Sequence, residues 1–179
     1  MKISKISLGF VALLFAASAH ADLLIEPYLG YSTGHWTQGN TTQSQSGVDY
    51  GARLGYQSLG FMVGLDYMTG NQTDNSTNAY TITPNDLGVF VGYKFPVLIR
   101  VYGVYNFMSD PKYVNGSSSI KPDGSSYKLG LGFTGLPFVV IGLEYYGGTY
   151  TKDKVSNTSL NPNLTTSMFG VSVSLPLTF

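Results

Sequence analysis

The chain has 179 residues, ten basic and ten acidic side chains, two histidines and no cysteine. Without cysteine there are no disulfides and no thiolate metal sites, and the balanced charge leaves no footprint for nucleic acid. Aromatic residues make up 14% and charged residues only 11%, which excludes a highly charged disordered chain.

Lys2 and Lys5 precede a short apolar stretch from Ile6 to Ala17, and Ala19-His20-Ala21 has the A-x-A form of a cleavage site. This layout predicts a secretory signal peptide over residues 1–21 and a processed chain, residues 22–179, beginning at Asp22. The apolar run is too short to cross a bilayer as a helix. With Lys2 and Lys5 gone, eight basic residues remain against ten acidic, and His35 is the one histidine left. No long uncharged apolar run follows, which argues against a helical membrane protein.

Eight later segments alternate apolar with small or polar residues, at about the 9–12 residue length of a tilted membrane-crossing strand. The first, 24–33, shows Ile25, Leu29 and Tyr31 on its apolar face. The second, 47–57, shows Val48, Tyr50, Ala52, Leu54 and Tyr56, and the third, 61–69, shows Phe61, Val63, Leu65 and Tyr67. The fourth, 86–95, and fifth, 98–108, carry Leu87, Val89, Val91, Tyr93 and then Ile99, Val101, Tyr105, Phe107. The sixth, 126–134, and seventh, 138–147, carry Tyr127, Leu129, Leu131, Phe133 and then Val139, Ile141, Leu143, Tyr145. The eighth, 166–179, has Phe169, Val171, Val173, Leu175, Leu177 and Phe179 on one parity, with Gly170, Ser172, Ser174 and Thr178 on the other.

The connections alternate in length. Residues 58–60, 96–97 and 135–137 form tight turns, whereas 34–46, 70–85, 109–125 and 148–165 are long and rich in Ser, Thr, Asn, Gln and Gly. Short turns at one rim and long polar loops at the other form the pattern of periplasmic turns and extracellular loops. The direction of the faces follows from volume. An eight-stranded interior is just wide enough for side chains to fill it, so the bulky parity must point outward. The other parity is rich in glycine, from Gly30 and Gly51 to Gly142 and Gly170, which leaves room in a crowded lumen. A continuous apolar band on the outside is solvated by lipid, and this disfavours a soluble barrel of inverted polarity. Tyr56 and Tyr93 lie near the turn rim, and Tyr31, Tyr50, Tyr67, Tyr105, Tyr127 and Tyr145 near the loop rim, as two interfacial girdles. The expected fold is all-β: an eight-stranded antiparallel up-and-down transmembrane β-barrel.

In this architecture, and in a last strand closing on Phe179, the chain resembles the small outer-membrane barrels of the outer membrane protein X, opacity protein and outer membrane protein A transmembrane-domain group. The resemblance implies residence in the bacterial outer membrane, contact with its lipid and lipopolysaccharide, and a monomer. It also implies that Val171, Val173, Leu175 and Phe179 are read by the barrel assembly machinery. Pro176 departs from that pattern because it removes a ladder donor, and Leu177 stands where an aromatic is commoner. No peptidoglycan-binding domain follows the last strand, so that anchoring role is not carried over.

Strand charges fall on the inward parity: Glu26, Asp49, Arg53, Asp66, Asp86, Lys94, Arg100, Lys128 and Glu144. Folding over the tight turns places Lys128 almost opposite Glu144, Arg53 opposite Gly64 and diagonal to Asp66, and Lys94 opposite Arg100, with Glu26 at that depth. Two readings are open. The charges form a salt-bridge gate in a narrow pore, or a closed polar core in which they satisfy one another. Tyr28, Phe90, Tyr102 and Tyr146 also point inward and favour the closed core.

Small barrels of the outer membrane include lipid A-modifying enzymes that use a serine and a histidine. Only His35, beside Trp36 at the start of the first loop, is available as a base, and its setting suggests a residue resting at the membrane surface. No catalytic, metal-binding or cofactor site is therefore expected. The expected function is that of a non-enzymatic surface barrel serving adhesion, protection or envelope integrity through loops that meet an unidentified extracellular ligand. The alternative is a narrow channel for small or hydrophobic molecules.

Overall fold

A computed structural model describes residues 21–75, 79–116 and 118–179. The expected signal peptide, apart from Ala21, lies outside the described residues. Twelve strands occur among those described: β1 (Asp22–Gln38), β2 (Thr41–Ser58), β3 (Phe61–Asp74), β4 (Thr81–Thr83), β5 (Asn85–Lys94), β6 (Ile99–Ser109), β7 (Lys112–Asn115), β8 (Ser118–Ile120), β9 (Pro122–Phe133), β10 (Val140–Asp153), β11 (Thr158–Ser174) and β12 (Leu177–Thr178). Eight of them, β1, β2, β3, β5, β6, β9, β10 and β11, pair antiparallel in chain order. β11 returns to β1, with Tyr28 opposite Ser174 and Tyr31 opposite Val171. The sheet is thus a closed transmembrane barrel with no free edge in its wall.

The alternation in the sequence becomes the two surfaces of this wall. Leu29, Leu54, Val91, Leu129 and Leu143 are each between 52% and 60% exposed on the outer face, a burial pattern that only lipid can complete. Aromatic rings bound this belt at both ends. At the turn rim Phe61 lies 4.7 Å from Tyr93, and Tyr93 4.8 Å from Phe95. At the loop rim Tyr145 lies 6.0 Å from Tyr127 and 5.0 Å from Phe169.

The turns differ slightly from expectation. β2 and β3 are joined by Leu59 and Gly60 alone, with φ of 50° and 87°. Two left-handed residues match the right-handed twist of the flanking strands. Ser58 consequently faces Phe61 across the hairpin.

The four long polar segments are not simple loops. β1 and β2 run 17 and 18 residues and pair without interruption to Gln38 and Thr41, far beyond the length needed to cross the membrane. β10 and β11 extend likewise to Asp153 and Thr158, with a register shift between Tyr150 and Lys152. β4, β7 and β8 continue the sheet outward from β3. At the hairpin tips, beyond Trp36 and Gln45, both strand faces meet water, so the apolar alternation that marks a strand disappears while its hydrogen-bond ladder persists. Thr37 and Thr42 join their hydroxyls across the β1–β2 pair at 3.0 Å.

Candidate functional site

The inward parity fills the barrel in layers. At the turn end, Leu24, Met62, Phe90 and Val104 pack with Tyr102 into an apolar plug. Glycine makes room for the large rings of the lumen. A Cβ on Gly130 would stand 2.1 Å from the Tyr102 ring, and one on Gly51 2.6 Å from the Tyr28 hydroxyl.

The charged layer follows. Arg53, 2% exposed, donates through Nη1 to Glu26 at 2.8 Å, through Nε to Asp66 at 2.9 Å and through Nη2 to Glu144 at 3.0 Å. Arg100 donates through Nη1 to the other Glu26 oxygen at 2.8 Å. Its Nη2 also reaches Glu26 and, at 3.2 Å, Ser174. Lys128 donates to Asp66 at 3.0 Å and to the Tyr28 hydroxyl at 3.0 Å. Glu144 also accepts from Tyr102, Tyr146 and, at 3.0 Å, Ser172.

Two of the three expected pairings change. Lys128 stands across from Tyr146, and Glu144 across from Gly130, so the ion partner of Lys128 is Asp66 rather than Glu144. Arg53 faces Asp66 directly rather than diagonally. In both hairpins the register is displaced by two residues from the simplest fold-back, which keeps each side chain on its face but exchanges its partner. Lys94 does face Arg100, yet it is exposed at the turn rim and does not join the buried ion pairs.

Asp49 and Asp86 lie higher in the lumen. Asp49 accepts from Ser32 at 2.5 Å and Gln72 at 2.6 Å, and Asp86 accepts from Ser109, whose hydroxyl also lies 3.2 Å from Tyr150. Asn106 donates to Ser126 at 2.8 Å. These neutral partners were not singled out in the sequence, although all but Ser109 share the inward parity of the charges; Ser109 is turned inward by an irregularity in β6 between Asn106 and Ser109.

The loop-side mouth is closed by Ile82 and Tyr113, both buried. Trp36, the neighbour of His35, helps to cover this mouth. It lies on the inward parity of β1, and its ring meets Tyr113 edge-on at 6.5 Å. Tyr80 meets Tyr113 from another side at 6.5 Å. Just outside the mouth, Asp110 binds Lys121 and Lys154, each at 3.0 Å, and Lys154 also reaches Asp123 at 3.0 Å. Burial works to raise the Asp110 carboxyl, but hydrogen bonds from Lys154, Asn85 and Lys121 outweigh it and hold it below the usual range. Hydrogen bonds to Asp110 and Asp123 raise the Lys154 ammonium correspondingly.

His35 is exposed on the outer face of β1 rather than in a loop, across from Ser44 on β2 and Ser167 on β11. The Ser167 hydroxyl is hydrogen-bonded with that of Tyr145 at 3.1 Å. At the C-terminus, Val171, Val173 and Leu175 face outward and Phe179 is 74% exposed. Pro176 splits the expected last strand: β11 stops at Ser174, and β12 resumes against β1 alone, with Leu24 opposite Thr178. Leu23 and Phe179 exchange both backbone hydrogen bonds, at 2.9 and 3.1 Å.

No protein-family model matches the chain, and no curated protein matches it in sequence. Solved structures do match. Neisserial surface protein A superposes with a TM-score of 0.62 at 13% identity, covering 84% of this chain and 96% of that one. Ail, the attachment invasion locus protein of Yersinia pestis, solved with the heparin analogue sucrose octasulfate, gives 0.61 at 12% identity, covering 87% and 99%. The chain has the fold of the small outer-membrane β-barrels. At such low identity the likeness shows the wall and its topology alone.

Proposed function

We propose that this protein is an exported outer-membrane barrel that neither conducts nor catalyses, and that it acts at the cell surface through its β-structured mouth. The observation that carries the reading is the lumen, filled by side chains from Leu24 at the turn end to Tyr113 at the loop end. A pore would need a continuous polar path, and the apolar plug and the buried ion pairs both interrupt one. The extended β1–β2 and β10–β11 hairpins present polar side chains above the loop-side girdle, where lipopolysaccharide surrounds the wall and an extracellular ligand docks. Ail was solved with a heparin analogue. Here Lys121 and Lys154 are occupied by Asp110 and Asp123, so the mouth offers a mixed-charge surface and a sulfated polyanion is not the ligand of choice. A serine–histidine reaction is also disfavoured, because the Ser167 hydroxyl is engaged with Tyr145.

Planar-bilayer recording of the purified protein tests the reading. Insertion without discrete conductance steps is expected, and reproducible unit steps would replace it with the channel. Single cysteines at Asn40 and Leu59 test the orientation. An impermeant maleimide should label the first on intact cells and the second only after the outer membrane is permeabilised.

A further inference from the structure

The outer face of the wall is not level: a groove of about 650 Å³ crosses β1, β11, β10, β9 and β6 within the lipid belt. One side of it runs from Tyr31 through Val171, Leu143 and Leu131 to Val101, each opposite the next on the neighbouring strand. The other side is the next outward row, from Thr33 through Phe169 and Tyr145 to Leu129. Between the two rows, Gly170 and Gly130 belong to the inward parity and show only backbone to the outside, which makes the floor low.

The groove has a direction and a length. Tyr31 stands in the loop-side girdle, and past Val101 the same row reaches Tyr93 and Phe61 of the turn-side girdle. The groove therefore descends obliquely through the belt. Five strands spaced about 4.8 Å apart make it about 19 Å long, and one leaflet of the hydrocarbon core is about 15 Å deep. A single acyl chain entering at the loop rim fits it. An apolar lining does not by itself select a lipid, because a tail gains little by leaving other tails for an apolar wall. Selection falls to the shape of the groove and to what meets the head group.

The upper end supplies those contacts. Thr33 and His35 are exposed on the outer face of β1, and Ser167 on β11 lies across from His35. The Ser167 and Tyr145 hydroxyls share one hydrogen bond at 3.1 Å, which uses one of their two protons and leaves the other to donate. Hydroxyls and an imidazole donate here, and no carboxylate stands among them, so they suit a phosphorylated sugar better than a head group that carries an ammonium. We propose that the groove seats one acyl chain of a lipid A molecule whose phosphorylated sugar is held by Thr33, His35 and Ser167. The choice of lipid rests on the loop rim facing the outer leaflet.

The test is native mass spectrometry of the purified protein folded in detergent. Equal amounts of lipid A, phosphatidylethanolamine and phosphatidylglycerol are added, and unbound lipid is removed by size exclusion. One lipid A per barrel should be retained, and neither phospholipid. Leu143→Trp, which raises a ring in the middle of the groove, should lose the adduct, and Val171→Trp takes its place if that variant fails to fold. Leu65→Trp, on the outer face of β3 away from the groove, should keep it. His35→Ala with Ser167→Ala should lower the retained fraction at least about tenfold, the worth of two hydrogen bonds. Retention of either phospholipid as well as lipid A would overturn the proposal. So would the absence of any adduct, or an equal loss in the groove variant and in Leu65→Trp. Binding is read in detergent, so its outcome is independent of the orientation that labelling at Asn40 and Leu59 tests.

Discussion

Arg53 is clasped between two rings as well as three carboxylates: its Cζ lies 4.5 Å from the centroid of Tyr28 and 4.3 Å from that of Tyr102. A planar guanidinium suits this position, since it stacks on both faces while its edge donates to Glu26, Asp66 and Glu144. Removing it leaves Glu26 with Arg100 and Asp66 with Lys128, but Glu144 with no ion-pair partner. Arg53→Met should therefore lower stability by about 3–5 kcal/mol, read as a shifted urea midpoint in Trp36 fluorescence. Lys128→Met should cost less, because Asp66 keeps Arg53. A double-mutant cycle should show stronger coupling of Lys128 with Asp66 than with Glu144. The opposite order would mean that the two-residue displacement of the β9–β10 register is wrong.

Among the elements, the tips of β9 and β10 are held to the segment before β7 by charge. Asp110 is the hub, with Lys121, Lys154 and Asn85 donating to it. Its pKa is depressed on folding, so its contribution to stability is present above the unfolded value and is lost as pH falls through the folded one. For an aspartate that window begins below about pH 4. Lys154 is raised, so its contribution is complete below the unfolded lysine value and fades only as pH climbs past about 10. The hub should hold from roughly pH 4 to pH 10. Both lysines are partly exposed, so the effect is local and screened by salt. Amide exchange around residues 110, 121 and 154, corrected for intrinsic rates, should accelerate at pH 3 while the barrel wall stays protected. Unchanged protection at pH 3 would show that the backbone ladder alone holds these tips.

At the scale of the whole molecule, closure depends on one seam. β11 meets β1 over Tyr28 to Gln38, and beyond Pro176 the short β12 carries the pairing on to Leu24 and Ile25. Phe179 ends this seam, with its backbone paired to Leu23 and its ring exposed at the turn rim. Deletion of Phe179 removes two backbone hydrogen bonds and an interfacial aromatic together. Outer-membrane levels should fall and periplasmic degradation products should rise. Wild-type levels with unchanged heat-modifiable mobility would show that the seam closes without it.

Strand number, the facing of side chains and the lipid belt were legible in the sequence because they depend on parity alone. A bulky residue such as Leu129 and an inward charge such as Lys128 are neighbours in the chain and cannot share a face, and an eight-stranded lumen has room for only one of the two sets. Parity says nothing about register. Whether Lys128 meets Glu144 or Asp66 depends on turn geometry at one hairpin and on the reach of a long side chain across the lumen, and both choices keep the same face. The extended hairpins were illegible for a related reason: at their tips both faces of β1 and β2 are wet, no alternation marks them, and only the backbone ladder that runs on to Gln38 and Thr41 reveals the strand. Trp36 and Tyr113 are 77 positions apart and belong to no common motif, so their meeting over the mouth required the closed barrel to bring them together.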